Sequence, residues 1–230
     1  MFSFLRNNTL SRADLSESEG YTLNVHYGDI LVKFGEVIDA GRDALSRIAD
    51  DDLAERLSCQ SLADGDVIIA DTAEDEAVGK CSELRGCGAK PIVSGLHTMA
   101  CRPMSEFAPG YLGYYMNSPA FHDQLLPLMQ GIKVISVSKG AIADTVVRFP
   151  SLAEQRAIGR SLTFLDSLIT LHQRKPPPAR HAPRTWRLAP SLREESPPQA
   201  IASKSGVTAA SFTERPANEL LDCSEPERCS

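Results

Sequence analysis

No two of the six cysteines (Cys59, Cys81, Cys87, Cys101, Cys223 and Cys229) stand in a CxxC pair, and no paired spacing among them suggests zinc. They read instead as small core residues or free thiols. No apolar run approaches the roughly 20 residues that a membrane span needs. The opening MFSFLRNNTLSRADLSE turns polar after five residues and does not read as a signal peptide, so a cytoplasmic location is expected. Neither GxxxxGKS/T nor GxGxxG occurs, which leaves nucleotide binding by such loops unsupported. GxSxG is missing too. His97 and Cys101 lie four apart, but inside an expected strand pair, where they should face one side as packed residues.

What is present is an uneven charge distribution. The formal net charge is −6, yet residues 1–76 carry a net of −11, residues 77–175 a net of +5, and residues 176–230 a net of 0. A basic middle can face phosphate even in an acidic chain. The acidic run is densest in ADTAEDEAVGK. There Asp71, Glu74, Asp75 and Glu76 could hold Mg²⁺ with Lys80 near a scissile phosphate, as in a metal-dependent nuclease. The nuclease spacing D…ExK is lacking, because Val78 stands two residues after Glu76. A solvated loop is the simpler reading.

Periodicity gives a mixed α+β layout. YTLNVHYGDILVKFGEVID reads as β structure interrupted by a turn at Gly28-Asp29, with Ile30, Val32 and Phe34 alternating. A short helix is expected from Asp50 to Leu57, and a buried strand from Val67 to Ala70. A strand pair broken around Gly95 follows. A helix then starts near Pro109 with Tyr111, Leu112, Tyr115 and Met116 on one side; core packing is the default for its tyrosines. A second helix is expected over Ala120 to Met129, with Pro119 in its first turn and Pro127 kinking or shortening it. Ile132, Val134 and Val137 suggest a strand, SKGAIADT a turn, and VVRFP an edge strand ended by Pro150.

SLAEQRAIGRSLTFLDSLITLHQRK is the clearest element. Ser151 and Glu154 have capping-box spacing. Ile158, Leu162, Leu165, Ile169 and His172 recur at intervals of four, three, four and three, an a/d seam of about two heptads. Arg174 and Lys175 lie in the expected last turn, where they suit the helix dipole. Beyond them stand three prolines, Pro176 to Pro178, and residues 176–230 hold nine of the 15 prolines with little periodicity. Such a segment is expected to be a disordered tail.

The pattern Pro150-Ser151-Leu152-x-Glu154-Gln155-x-x-Ile158-Gly159, then Leu165-Asp166-x-x-Ile169 and His172-Gln173-Arg174-Lys175, resembles the specificity subunit of type I restriction–modification systems. Upstream, NVHYGDILVKFGEVID, GDVIIADTAEDEAVGK, GLHTMACRP, APGYLGYYMNS and FHDQLLPLMQGIKVISVSKGAIADTVVRFP resemble one of its target recognition domains, in order, over about residues 1–175. The resemblance implies a recognition domain over residues 1–150, the start of a spacer helix over 151–175, and an unrelated, Pro-rich tail over 176–230. It implies a non-catalytic subunit that reads one half of a bipartite site in double-stranded DNA. Its partners would be the methyltransferase and restriction subunits and, in a chain with one recognition domain, a second copy of itself. No cofactor is implied in this chain; S-adenosylmethionine, ATP and Mg²⁺ belong to the partner subunits.

The candidate DNA-facing residues are Lys80, Arg85 and Lys90 on a long loop, His97 as a base-edge reader, and Lys133, Ser136, Ser138 and Lys139 around QGIKVISVSKG. The candidate helix-partner interface is Ile158, Leu162, Leu165, Ile169 and His172. A full family member has two recognition domains and two long helices. This chain is expected to begin inside a recognition domain and to leave its helix at Pro176. A frameshift near Lys175 or a gene remnant would account for that. Translation of the genomic DNA past Lys175 in the other frames tests the frameshift: it requires a Leu/Lys/Glu-rich helix there.

Overall fold

The computed structural model describes residues 1–173. The expected tail lies outside the described residues, as do Arg174, Lys175, Cys223 and Cys229.

The chain opens with β1 (Phe2–Phe4), β2 (Leu15–Ser16) and β3 (Leu23–Val25), then α1 (Tyr27–Val32) and β4 (Val37–Asp39). β5 (Ser46–Ile48), α2 (Asp51–Arg56), β6 (Val67–Ala70), β7 (Thr72–Ala73) and β8 (Cys81–Arg85) follow. Next come β9 (Ile92–Ser94), β10 (Thr98–Pro103), α3 (Tyr111–Asn117) and α4 (Pro119–His122). β11 (Ile135–Ser136), α5 (Lys139–Asp144) and α6 (Leu152–Gln173) complete the described chain. The fold is mixed α+β with a long C-terminal helix.

Three sheets form. The largest has the order β1-β10-β6-β8-β4 and is antiparallel except for the β4–β8 pair. The second has the order β2-β5-β3-β9, with β3 and β9 parallel. The third is the short ribbon β11-β7. Period-two alternation divides the large sheet between two cores. Val67 and Ile69 of β6, Cys81 of β8, and Met99 and Cys101 of β10 join Tyr111, Leu112, Met116, Phe121 and Ile142 on one side. Ile68 and Ala70 of β6, Leu84 of β8 and Ala100 of β10 join Val25, Ile30, Ile38 and Ile92 on the other. β6 is therefore buried on both faces, which is why VIIA is apolar without alternation.

Several local expectations change. Gly28-Asp29 is not a turn but the first turn of α1, because His26 caps it: its Nδ1 accepts the Gly28 N–H at 3.2 Å. Asp29 is fixed there by two hydrogen bonds from Arg12, at 3.0 and 2.8 Å. SKGAIADT is α5 rather than a turn; Ser138 Oγ accepts the Ala141 N–H at 3.1 Å, and Ala141 and Ile142 are buried. The second helix stops at His122 and gives way to a 3-10 turn at Leu126–Leu128 that contains Pro127. β9 and β10 flank Gly95 as expected but join different sheets. VVRFP makes no strand. Its backbone is satisfied by side chains instead: Gln124 bonds both backbone groups of Val146, and the Tyr115 hydroxyl accepts the Arg148 N–H at 3.1 Å. Of the strand expected over Ile132 to Val137, only Ile135–Ser136 forms.

Candidate nucleic-acid interface

The turn between β9 and β10 places His97. Gly95 lets it close tightly, since a Cβ there would stand 2.7 Å from the Val25 carbonyl oxygen. Thr98 Oγ1 donates to the Gly95 carbonyl at 2.6 Å, and the Asp71 N–H to that of His97 at 3.1 Å. His97 consequently takes φ +53°, the one positive φ outside glycine among the described residues. Such backbone strain is held by surrounding contacts and concentrates at working sites. The ring is not packed beside Cys101 as the strand-pair reading required; it is exposed, and Cys101 is buried with a thiol pushed up to about 12 by burial. A histidine–cysteine dyad is thereby excluded.

Around His97 stand residues from distant segments. Its Nδ1 lies 3.4 Å from Asp71 Oδ1 and 3.5 Å from Thr72 Oγ1. Tyr27 meets it edge-on with centroids 5.3 Å apart, and His26 packs on Tyr27 at 4.6 Å. Burial holds the His26 pKa below the ordinary histidine value, with Arg12 adding to the effect. β7 continues from Asp71, and its Thr72 pairs with Ser136 of β11, so Ser136 belongs to the same neighbourhood. The Val137 N–H donates to the Asp71 carbonyl at 2.9 Å. Leading into β11 the chain makes a narrow loop whose ends are joined by two bonds between Gln130 and Ser136, at 3.0 and 2.8 Å. Gly131 at φ +125° permits this closure; a Cβ there would collide with the Val134 carbonyl. Ile132, Lys133 and Val134 form the exposed tip.

The remaining candidate cations do not gather here. Lys80 is turned inward, donating to the Leu31 and Phe34 carbonyls at 3.1 Å each, and so closes the C-terminal end of α1. Arg85 lies 3.4 Å from Asp39 beside a cleft of about 610 Å³ that Tyr114 and Asp166 also line; its Nε is buried without a partner. Lys90 is exposed over the Tyr21 ring at 5.6 Å. Ser138 is spent on capping α5, and Lys139 sits 5.8 Å over the Phe4 ring. Among the acids, Asp71 accepts from Thr72 at 2.8 Å and Asp75 from the Ala77 N–H at 3.0 Å. Among the described residues no three His, Cys, Asp or Glu side chains converge as a metal site.

α6 begins with the capping box: the Ser151 N–H and hydroxyl donate to Glu154 at 3.0 and 2.7 Å, and Glu154 N–H returns to Ser151 Oγ at 3.5 Å. Only Gln155 and Gly159 of this helix are buried. Gln155 accepts the Ala108 N–H at 3.0 Å and donates to the Pro150 carbonyl at 2.9 Å. Gly159 lies against Pro109 and Gly110, and the Tyr114 hydroxyl donates to Asp166 at 2.5 Å. Burial and that carboxylate push Tyr114 up to about 12. The seam flanks this packed face: Ile158, Leu165 and Ile169 are 41%, 51% and 53% exposed, Leu162 is half-buried, and His172 is exposed with Nδ1 on the Leu168 carbonyl at 2.8 Å.

Tyr27 and Asp71 escaped the sequence reading as neighbours of His97. The periodicity of α6 does mark Gln155 and Gly159, which share a face four residues apart.

No protein-family model and no curated protein matches the chain. Among solved structures it is similar to a chain from a study of complex assembly and conformational transition in the type I R-M system, at 16% identity and TM-score 0.48. It is also similar to the type I restriction–modification S subunit from M. genitalium, at 10% and 0.42, and to the HsdS subunit from Thermoanaerobacter tengcongensis, at 16% and 0.44. The matches cover 75%, 74% and 77% of this chain and 38% of each solved chain. The chain thus spans less than half the length of the solved chains it matches. No helix among the described residues is long and apolar enough to cross a membrane.

Proposed function

We propose that the chain is a DNA-sequence-recognition module of the type I specificity-subunit kind, reading one half-site and carrying methyltransferase and restriction subunits to it through α6. The observation that carries this reading is the surface around His97. A hydrogen-bonded turn, a two-stranded ribbon and the closed loop that leads into it carry an exposed imidazole, hydroxyls and an exposed Lys133. A β-ribbon of this width enters the major groove, where His97 can bond a base edge and Lys133 a phosphate. The module itself performs no chemistry in this reading; its part is to position partner subunits, which supply S-adenosylmethionine and ATP-dependent steps. The full chain is incubated with a pool of randomised duplex DNA, and bound duplexes are sequenced over repeated rounds. A defined half-site motif is expected, and enrichment of none would refute DNA reading.

A second reading rests on α6 alone. Its exposed apolar seam suits a chain that occupies methyltransferase subunits without reading DNA. Co-purification with such a subunit, together with no motif in the selection, distinguishes it. The nuclease reading needs acidic side chains converging near Lys80, and Lys80 is instead committed to the end of α1.

A further inference from the structure

We propose that Ile132 is a base reader that packs against the 5-methyl group of thymine; this rests on the DNA-recognition reading above and names one of its specificity determinants. Ile132 is 99% exposed and Val134 is 55% exposed, although both are β-branched apolar residues in a loop closed to a fixed shape. Closure by the Gln130–Ser136 bonds and by Gly131 keeps the tip from folding its apolar side chains back onto the domain. The base of the loop is anchored, since Met129 and Ile135 pack against the first core. A β-branched side chain has few rotamers to lose on contact, so the tip is organised before it meets a ligand.

The size and charge of the tip choose the occupant. Two apolar side chains fall far short of the roughly 800 Å² per partner that a protein interface buries. A tip of three residues does fit a major groove about 12 Å wide. Thymine is the base that offers an apolar group in that groove. Lys133, between the two apolar residues, is exposed and supplies the cation for a neighbouring phosphate. β11 then leads from the tip to Ser136 and the His97 surface, so one continuous ribbon carries an apolar and a polar reader.

The test compares thymine with deoxyuridine, which lacks only the methyl group. Once the selection has given a motif, each thymine in it is replaced singly by deoxyuridine, and affinities of the full chain and of Ile132→Ala are measured. At one position the wild type should lose about fourfold, the worth of one buried methyl-sized group. Ile132→Ala should bind thymine and deoxyuridine duplexes equally there, and Ile132→Val should retain part of the discrimination. If no position is sensitive to the methyl group in the wild type, or if Ile132→Ala remains equally sensitive, Ile132 is not a thymine reader and DNA recognition still stands. If the selection enriches no motif, both fall. Unchanged thermal unfolding of the variants confirms that the comparison is made between folded chains.

Discussion

Lys80 shows how far a charged side chain's role depends on what it meets. Its ammonium holds two carbonyls at the end of α1, groups that would otherwise lack partners. Lys80→Met should therefore cost about 1–3 kcal/mol, read from the denaturant midpoint, and leave DNA affinity nearly unchanged. Glu83 is buried on β8 and accepts the Gly110 and Gly113 N–H groups at 2.6 and 3.0 Å. Burial outweighs those donors and holds its carboxyl above the usual value. Between the ordinary and the raised value the folded chain binds the extra proton, so lowering the pH favours folding at this residue. That contribution is complete below the ordinary value and is lost as pH rises through the raised one. The stability advantage of wild type over Glu83→Gln should accordingly grow as pH falls through that window, as measured by chemical denaturation at several pH values.

The helices differ in how much they tolerate at their glycines. A Cβ on Gly113 of α3 would stand 1.9 Å from the Glu36 carbonyl oxygen, whereas one on Gly159 of α6 would meet nothing closer than 3.4 Å. Gly113→Ala should destabilise strongly, by about 3 kcal/mol or more, because backbone must move. Gly159→Ala should be neutral or stabilising by up to about 1 kcal/mol from helix propensity. Thermal unfolding of the two variants gives the contrast directly. On the exposed flank of α6, Leu165→Glu should leave unfolding unchanged and abolish association through that helix, measured by co-purification with a methyltransferase subunit. α6 and β6 were legible in the sequence because their signals are local: a capping box with a heptad seam, and an apolar run with turns on both sides. α1 and α5 were not, since six residues hold too little periodicity and their caps are a histidine ring nitrogen and a serine within apparent turns. The sheet to which β9 belongs depends on parallel pairing with distant β3. His97 was legible as a candidate, but its surroundings come from the segments of Tyr27 and Asp71, and no pattern along the chain brings those together.

Across the whole molecule the charge asymmetry is only partly available to a ligand. Of the candidate cations, Lys80 is turned inward and Arg85 lies beside Asp39, so net charge overstates the phosphate-facing surface. Removing Lys133 should lower the salt dependence of DNA binding by about one phosphate contact without altering the selected motif. Binding titrations over a salt series measure this. The two cores share β6 of the large sheet, and the turn that carries His97 leads into β10 of that same sheet. Glu83 ties that sheet to the start of α3, and the same Pro109-Gly110 stretch supports Gly159. α6 is thus a lever whose outermost hold, and pivot, is Asp166: at 1.5 Å per residue, a tilt of roughly 10° there swings Gln173 sideways by about 2 Å. A tight pivot turns the orientation of the domain into a defined placement of whatever the far end carries.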